Sequence, residues 1–325
     1  MKAVVCQAYG LPDSLVYTDV PDPVAGTGQV VVDMKAAGVN FPDVLIIQNK
    51  YQAKPPLPFS PGSELAGIVS STGEGVANVK VGDSVIAFCG WGAFAEKVVV
   101  PAAGLIPMPA GLDFDTAASF TLTYGTSYHA IKDRGELKAG ETMLVLGAAG
   151  GVGLAAVQIG KALGARVIAA ASTDDKLAVC RANGADETIN YTTEDLRTRI
   201  KVLTDGKGPD VIYDPVGGDL AEPAFRSIAW RGRYLVIGFA LGEIPRLPLN
   251  LTLLKGASIV GVFWGEFTKR EPAKFAQGLH EMFGWMQQGK IKPWISHRYP
   301  LTESAAALND MMNRKVTGKV IIQSL

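Results

Sequence analysis

Cysteine and histidine are scarce in this chain of 325 residues, with three of each. Cys6, Cys89 and Cys180 lie far apart in sequence, which excludes a disulfide framework or a multi-cysteine zinc lobe and reads them as buried thiols. His129, His280 and His297 offer no close-spaced ligand pair. Charge of one sign is lacking too: 31 basic residues balance 31 acidic ones with no polybasic run or acidic tail, so nothing points to nucleic acid. The N-terminal MKAVVCQAYG has no long apolar core, and glycines, Lys161 and Arg166 interrupt the most apolar region. Neither a secretory leader nor a membrane span is expected, and the chain reads as soluble and cytoplasmic. Hydrophobic residues, by contrast, make up 48% against 19% charged. That composition is globular, and the length allows two domains, each with its own core.

The middle of the chain is organised around Thr142 to Ser172. Thr142 to Leu146 is a short apolar run of strand length that stops at Gly147, Gly150, Gly151 and Gly153. Leu154 to Leu163 predicts a helix and Arg166 to Ala171 a second strand, which together make one βαβ unit. Ala148 to Gly153 fits the dinucleotide fingerprint with Ala148 in the first glycine position. Ala149, Gly150, Gly151, Val152 and Gly153 are therefore candidate pyrophosphate contacts, where bare backbone and a helix N-terminus face an anion.

Residues 1–122 have a different texture. Short apolar runs at Val30 to Val32, Gly67 to Val69, Ser84 to Phe88 and Lys97 to Val100 are separated by glycine, proline and asparagine, as in a β-rich domain. Lys54 to Pro61 is too rich in proline for regular structure. Thr116 to Asp133 reads as helical with a break near Gly125. Beyond the βαβ unit, strands expected at Glu187 to Tyr191, Val211 to Asp214, Tyr234 to Gly238 and Ser258 to Phe263 alternate with helices, which implies a mostly parallel, doubly wound sheet over residues 123–264. Helices at Lys274 to Gln288 and Ser304 to Asn313 and a strand at Lys319 to Gln323 fill residues 265–325, a stretch expected to return to the first domain.

Several segments then carry a family resemblance. They are Gly38-Val39-Asn40-Phe41-Pro42-Asp43, Tyr51 to Phe59, Pro61-Gly62-Ser63-Glu64, the glycine turn, Asp214-Pro215-Val216-Gly217-Gly218 and Gly261-Val262-Phe263-Trp264-Gly265. In this order and over essentially the whole length, the chain resembles the zinc-independent, zeta-crystallin-like quinone oxidoreductase branch of the medium-chain dehydrogenase/reductases. The resemblance implies an α/β protein with a GroES-like catalytic domain, a Rossmann domain, a cleft between them and a homodimer.

Zinc alcohol dehydrogenases of the same superfamily carry a cysteine where this chain has Asn40 and a histidine where it has Ser63 before Glu64. An amide and a hydroxyl do not build a typical zinc site, so no metal is expected, and Glu64 reads as structural. Reduction of a double bond conjugated to a carbonyl needs only hydride delivery and a hydrogen bond to the developing enolate. Asn40 and Tyr51 are the candidate catalytic donors, with Asp43 orienting the loop or relaying a proton. The resemblance places Asn40 near the nicotinamide and Tyr51 at the mouth of the substrate pocket. Asn40 and Asp43 also suit a helix cap before Phe41-Pro42, and both roles can coexist. Tyr51 is alternatively a loop aromatic.

The choice of cofactor turns on the end of the second strand, about 20 positions after the glycine turn, where NAD enzymes place an acid. Here Ser172 stands there and Lys176 follows one helical turn on, a hydroxyl and an ammonium suited to the 2′-phosphate of NADPH. The resemblance adds Tyr191 to this pair. Asp174 and Asp175 oppose the phosphate unless they face solvent. Thr126 is a candidate nicotinamide contact at the end of a helical stretch. Phe239, Ala240, Phe263, Trp264 and Gly265 are candidates at strand ends, although Phe239 and Trp264 equally suit the core. Arg314 is a candidate at the adenine end, and His129 reads as a satisfied helix histidine. The expected activity is NADPH-dependent reduction of quinones or enones. An enoyl-CoA thioester reductase and a catalytically silent, crystallin-like NADPH-binding protein are the alternatives. An exposed edge strand near Ser258 to Phe263 invites pairing across a two-fold axis.

Overall fold

The computed structural model describes residues 1–324. The chain divides into two units, Met1–Leu122 joined by the segment from Pro293 onward, and Thr123–Lys292.

In the first unit the long strand Gln29–Val39 is the organising element. Along one edge its N-terminal half pairs with Lys97–Pro101 and its C-terminal half with Lys319–Gln323, while Glu64–Thr72 takes the other edge. The strands Ser84–Phe88 and Ile106–Pro107 continue the sheet beyond Glu64–Thr72, and Ile295–Pro300 closes it beside Lys319–Gln323. Val30, Val32, Met34, Leu65, Val69, Phe94, Val320 and Ile322 are buried in one core. The strand runs longer than Val30 to Val32 because Asp33 and Lys35 alternate with the buried Met34 and Ala36, the period of a pleated strand. Register sets Gly38 opposite Glu64 and Val39 opposite Val320. Asn40, the next residue, therefore leaves the strand between Glu64 and Lys319. Gly38 is required here, since a Cβ would lie 2.4 Å from the carbonyl of Ala118 and 2.6 Å from Glu64 Oε1.

The second unit is a six-stranded sheet, parallel throughout. Its order is Glu187–Asn190, Arg166–Ala171, Thr142–Leu146, Val211–Asp214, Arg233–Val236 and Ser258–Gly261. The first strand in sequence, Thr142–Leu146, lies centrally: the chain winds outward on one side and then resumes at Val211–Asp214 on the other. Such a reversal opens a crevice at the carboxyl ends of the strands. Leu144, Leu146, Ile168, Ala170, Ile189, Ile212 and Tyr234 are buried in its core.

The structure corrects three expectations about the elements. The helical break falls at Ser119 and Phe120, between Phe114–Ala118 and Thr121–Tyr128, and the latter passes unbroken through Gly125 into a π-helical turn at His129–Arg134. The last parallel strand ends at Gly261, and Trp264 and Gly265 open a short helix, Trp264–Arg270, instead of ending a strand. The stretch 265–292 belongs to the second unit. The helix Pro272–Gln287 holds it there, because Glu281 accepts from Tyr128 Oη at 2.7 Å and from Lys132 Nζ at 2.6 Å, and Trp285 lies against Tyr128. Among the described residues no helix is long and apolar enough to cross a membrane.

Candidate functional site

Two constellations, one in each unit, contain most of the residues expected to act.

In the first unit, Asn40 is the N-cap position of the helix Phe41–Ile46, with extended backbone. Asp43 sits in its first turn and accepts from the Asn40 backbone N–H at 2.8 Å, one half of a capping box. The Asn40 side chain is bonded outside that box as well. Its Nδ2 donates to Glu64 Oε1 at 3.0 Å, with Gly38 O at 3.3 Å and Ser63 Oγ at 3.4 Å, and its Oδ1 accepts from Lys319 Nζ at 2.7 Å. Lys319 also donates to Glu64 Oε1 at 2.6 Å, and the other Glu64 oxygen accepts from the Leu122 N–H at 2.9 Å. Lys319 and Glu64 are both buried. Such a pair persists in a core because each charge is matched by the other and by additional hydrogen bonds.

In this network the Asn40 amide protons are directed to Glu64, Ser63 and the Gly38 carbonyl. Tyr51 is different. Half-buried and packed against the core of the unit, it makes no hydrogen bond from its hydroxyl among the described residues. Burial raises the phenol's pKa, with a smaller contribution from the Asp43 charge. Asp43 is itself fully enclosed, and its Oδ1 has no partner. Burial pushes this carboxyl up to about 7, against the pull of the Asn40 N–H and the Lys319 ammonium. Burial likewise pushes the Cys89 thiol up to about 12, which leaves it inert.

The donors around Asn40 are an amide, a hydroxyl and one carboxylate, and a lysine ammonium already occupies the cation position between them. They do not fit zinc, whose sites are built from thiolate, imidazole and carboxylate. Among the described residues no group of three or more His, Cys, Asp and Glu is placed to hold a metal.

In the second unit, the strand Thr142–Leu146 runs into the turn that opens the helix Gly151–Ala162, with Gly150 at its N-cap. Gly153 lies directly on the turn: a Cβ there would stand 2.4 Å from the Gly147 carbonyl oxygen and 2.8 Å from Ala148. Ala149 is buried, whereas Gly150 is exposed and Gly151 and Val152 are half-buried. The helix start and its free amides thus form a bare cradle that suits a pyrophosphate. Ser127 braces it. Its Oγ donates to the Val152 carbonyl at 2.9 Å and lies 2.9 Å from the Tyr213 hydroxyl, which ties the cradle to the helix bearing the half-buried Thr126.

At the end of the second strand, Lys176 Nζ donates to Ser172 Oγ at 3.4 Å, and Thr173 caps the helix Asp174–Ala182 by accepting from the Lys176 N–H. Tyr191 follows the next strand, its N–H bonded to the Ala171 carbonyl. Ser172, Lys176 and Tyr191 are therefore brought to neighbouring strand ends.

The remaining candidates are dispersed. Phe239 lines an apolar pocket of about 230 Å³ with Tyr234, Ile244, Leu249 and Ile259, and the Ala240 N–H bonds the Pro215 carbonyl. Phe263 is exposed, while Trp264 is buried against Gly125 and Phe275, a packing role. Gly265 is half-buried beside it. Arg314 lies in the first unit, exposed, with a left-handed backbone after the helix Ser304–Met312. His129 pairs with Asp133 at 2.8 Å and stacks on Phe267, a satisfied helix histidine. A groove of about 850 Å³ holds none of the candidates. Its four acids (Asp195, Asp219, Glu222, Glu243) balance its four bases (Arg197, Lys201, Arg226, Arg246), so it selects no ion.

Lys319 and Ser127 were not legible as site residues. A lysine opening an apolar strand, KVIIQ, is the only local signal for the first; the second reveals itself only through Val152 and Tyr213, both distant in sequence.

Comparison with known proteins matches residues 26–110 to the alcohol dehydrogenase GroES-like domain and residues 151–283 to the zinc-binding dehydrogenase domain. A quinone oxidoreductase-like protein 2 homolog of Nematostella vectensis is 40% identical, over 99% of this chain and 89% of that protein. The quinone oxidoreductase of Pseudomonas aeruginosa is 36% identical over 99% of both chains. The crystal structure of Escherichia coli quinone oxidoreductase complexed with NADPH superposes with a TM-score of 0.93 at 30% identity, covering 99% of this chain and 100% of that one.

Proposed function

Because the chain belongs to the quinone oxidoreductase branch of the medium-chain dehydrogenase/reductase superfamily, we propose that it is an NADPH-dependent reductase of quinones and other conjugated enones that works without zinc. The observation that carries this reading is the network at Asn40, where Lys319 supplies the buried positive charge and both faces of the amide are occupied. A site so built offers no Lewis acid to an alkoxide, and an enone does not need one.

When bound, NADPH supplies the hydride. The backbone of Ala149 to Gly153 and the helix N-terminus behind it receive the pyrophosphate. The Ser172 hydroxyl and the Lys176 ammonium take the 2′-phosphate, with Tyr191 beside them, and this is the preference over NADH. Thr126, Ala240 and Phe263 complete the cofactor contacts of the second unit. Tyr51 donates its hydroxyl proton to the carbonyl oxygen on which negative charge develops, and Asn40 and Asp43 fix the start of the loop that carries it. Solved structures of a relative with NADPH bound support the choice of cofactor.

The reading includes a homodimer formed through the edge strand Ser258–Gly261. That strand has a neighbour on one side only, and Ile244, Leu249, Leu253, Leu254 and Phe263 nearby in sequence are all exposed, Leu253 by 80%. Unpaired edges flanked by apolar side chains favour association.

Steady-state oxidation of NADPH and NADH with a panel of quinones, free enones and a matched enoyl-CoA thioester tests the proposal. Turnover of quinones or free enones with NADPH preferred is the expected result. Turnover of the thioester alone would replace it with an acyl-CoA reductase, and NADPH binding by fluorescence with no oxidation of any acceptor would leave a binding protein.

A further inference from the structure

Asn190 ends the strand Glu187–Asn190 directly beside Ala171, the last residue of the strand that leads to Ser172. It is buried, yet it bonds at both ends of its amide. Oδ1 accepts from the Thr192 N–H at 3.2 Å and from Thr192 Oγ1 at 2.6 Å. Thr192 Oγ1 also lies 2.9 Å from the Ser172 carbonyl oxygen and shares its one proton between the two. The other end of the amide, Nδ2, donates to Asp174 Oδ1 at 2.9 Å. Asp174 is the first residue of the helix that carries Lys176 and stands two positions from Ser172. Its carboxylate is the acid nearest Ser172 in sequence, with Asp175 next to it and adjacent to Lys176.

We propose that Asn190 is a positioning residue for cofactor selectivity: its amide anchors the Asp174 carboxylate and so keeps an acid out of the ground that a 2′-phosphate would occupy. The inference rests on the NADPH reading above. Asn190 does not touch the phosphate. Its amide is chosen over other strand-end residues because it is the group that accepts from Thr192 and donates to a carboxylate at once, a pairing that neither a second carboxylate nor an ammonium provides. Freed from this bond, a carboxylate on an exposed first helical turn samples rotamers that approach its neighbours. A like charge a few ångströms from the phosphate in partly screened surroundings weakens binding by roughly tenfold at most.

Fluorescence titration with NADPH and with NADH, on the unaltered protein and on Asn190→Ala, Asp174→Ala and the double variant, tests this. Asn190→Ala is expected to weaken NADPH by about fivefold while NADH changes by less than about twofold. Asp174→Ala on that background restores NADPH. Asn190→Ser, too short to reach Asp174 yet still an acceptor for Thr192, is expected to behave like Asn190→Ala and guards against loss of folding, which thermal unfolding checks. Equal weakening of both cofactors, or no rescue by Asp174→Ala, would overturn the inference and leave Asn190 a structural residue. A ratio of NADPH to NADH affinity unchanged in Asn190→Ala and Asn190→Ser would overturn the inference alone. Equal affinity of the unaltered protein for the two cofactors would overturn the 2′-phosphate reading and this inference with it.

Discussion

Lys319 holds Asn40 in place. The lysine Nζ donates to the amide oxygen at 2.7 Å and to Glu64 Oε1 at 2.6 Å, while the amide nitrogen of Asn40 donates to that same glutamate oxygen. Three side chains from three segments far apart in sequence thus close one buried ring, and the conformation of the helix start at Phe41 depends on it.

Lys319→Met is expected to leave the Glu64 charge buried without its cation and to destabilise the fold by roughly 3–5 kcal/mol, the cost typical of breaking a buried pair from one side. Pairing it with Glu64→Leu should recover only part of that loss, because the Asn40 amide and the Leu122 N–H are then left without these partners. Urea unfolding of the two variants, followed by circular dichroism, measures both.

Tyr51→Phe is expected to lower kcat by about 10- to 1000-fold, the range spanned when one hydrogen-bond donor to a developing oxyanion is removed. NADPH affinity should be unchanged. Asn40→Ala acts on the fold instead: it deprives Lys319 and Glu64 of a buried partner and is expected to cost about 1–3 kcal/mol. Steady-state kinetics and thermal unfolding of the pair separate donor from scaffold.

How far the sequence discloses the molecule depends on the range of the interaction. The strands Thr142–Leu146 and Arg166–Ala171 appear as continuous apolar runs bounded by glycine, and their limits agree with the expected ones because both faces of a central parallel strand are buried. The helix after the first begins at Gly151 rather than Leu154, since glycines that resemble a turn also supply its first bare turn. Gly125 looks like a helix break, yet it is there to admit Trp264, whose Nε1 would lie 2.8 Å from a Cβ. Lys319 and Asn190 were invisible for a related reason, as their meaning lies in Glu64, Asn40 and Asp174, which no local period connects to them. The residues of the glycine turn and of the Ser172 and Lys176 pair were legible because their spacing within one βαβ unit is fixed by local geometry.

Asp43 makes stability depend on pH. Its carboxyl moves from 3.8 to about 7 in the fold, so between these values the folded protein keeps a proton that the unfolded chain has released. The stabilisation from the neutral carboxyl is complete below pH 3.8 and is lost as the pH rises through about 7. Asp43→Asn should remove a contribution of at most about 1.4 kcal/mol per pH unit within that window. The difference in unfolding free energy between the unaltered protein and Asp43→Asn, measured by urea titration across that range, should therefore favour the variant increasingly as pH rises.

Ile259→Lys places a charge on the exposed edge strand Ser258–Gly261. Charges on an edge block strand pairing, so sedimentation equilibrium should show a dimer for the unaltered protein and a monomer for the variant, with thermal stability of the monomer lowered only modestly.

Delivery of a hydride from NADPH to the carbon of a conjugated double bond is read directly by isotope transfer. An enone reduced in the presence of NADPH deuterated at the transferable position, analysed by mass spectrometry and NMR, is expected to carry one deuterium on the carbon β to the carbonyl. Recovery of unreduced enone, or of reduced product with no deuterium at that carbon, would contradict the account.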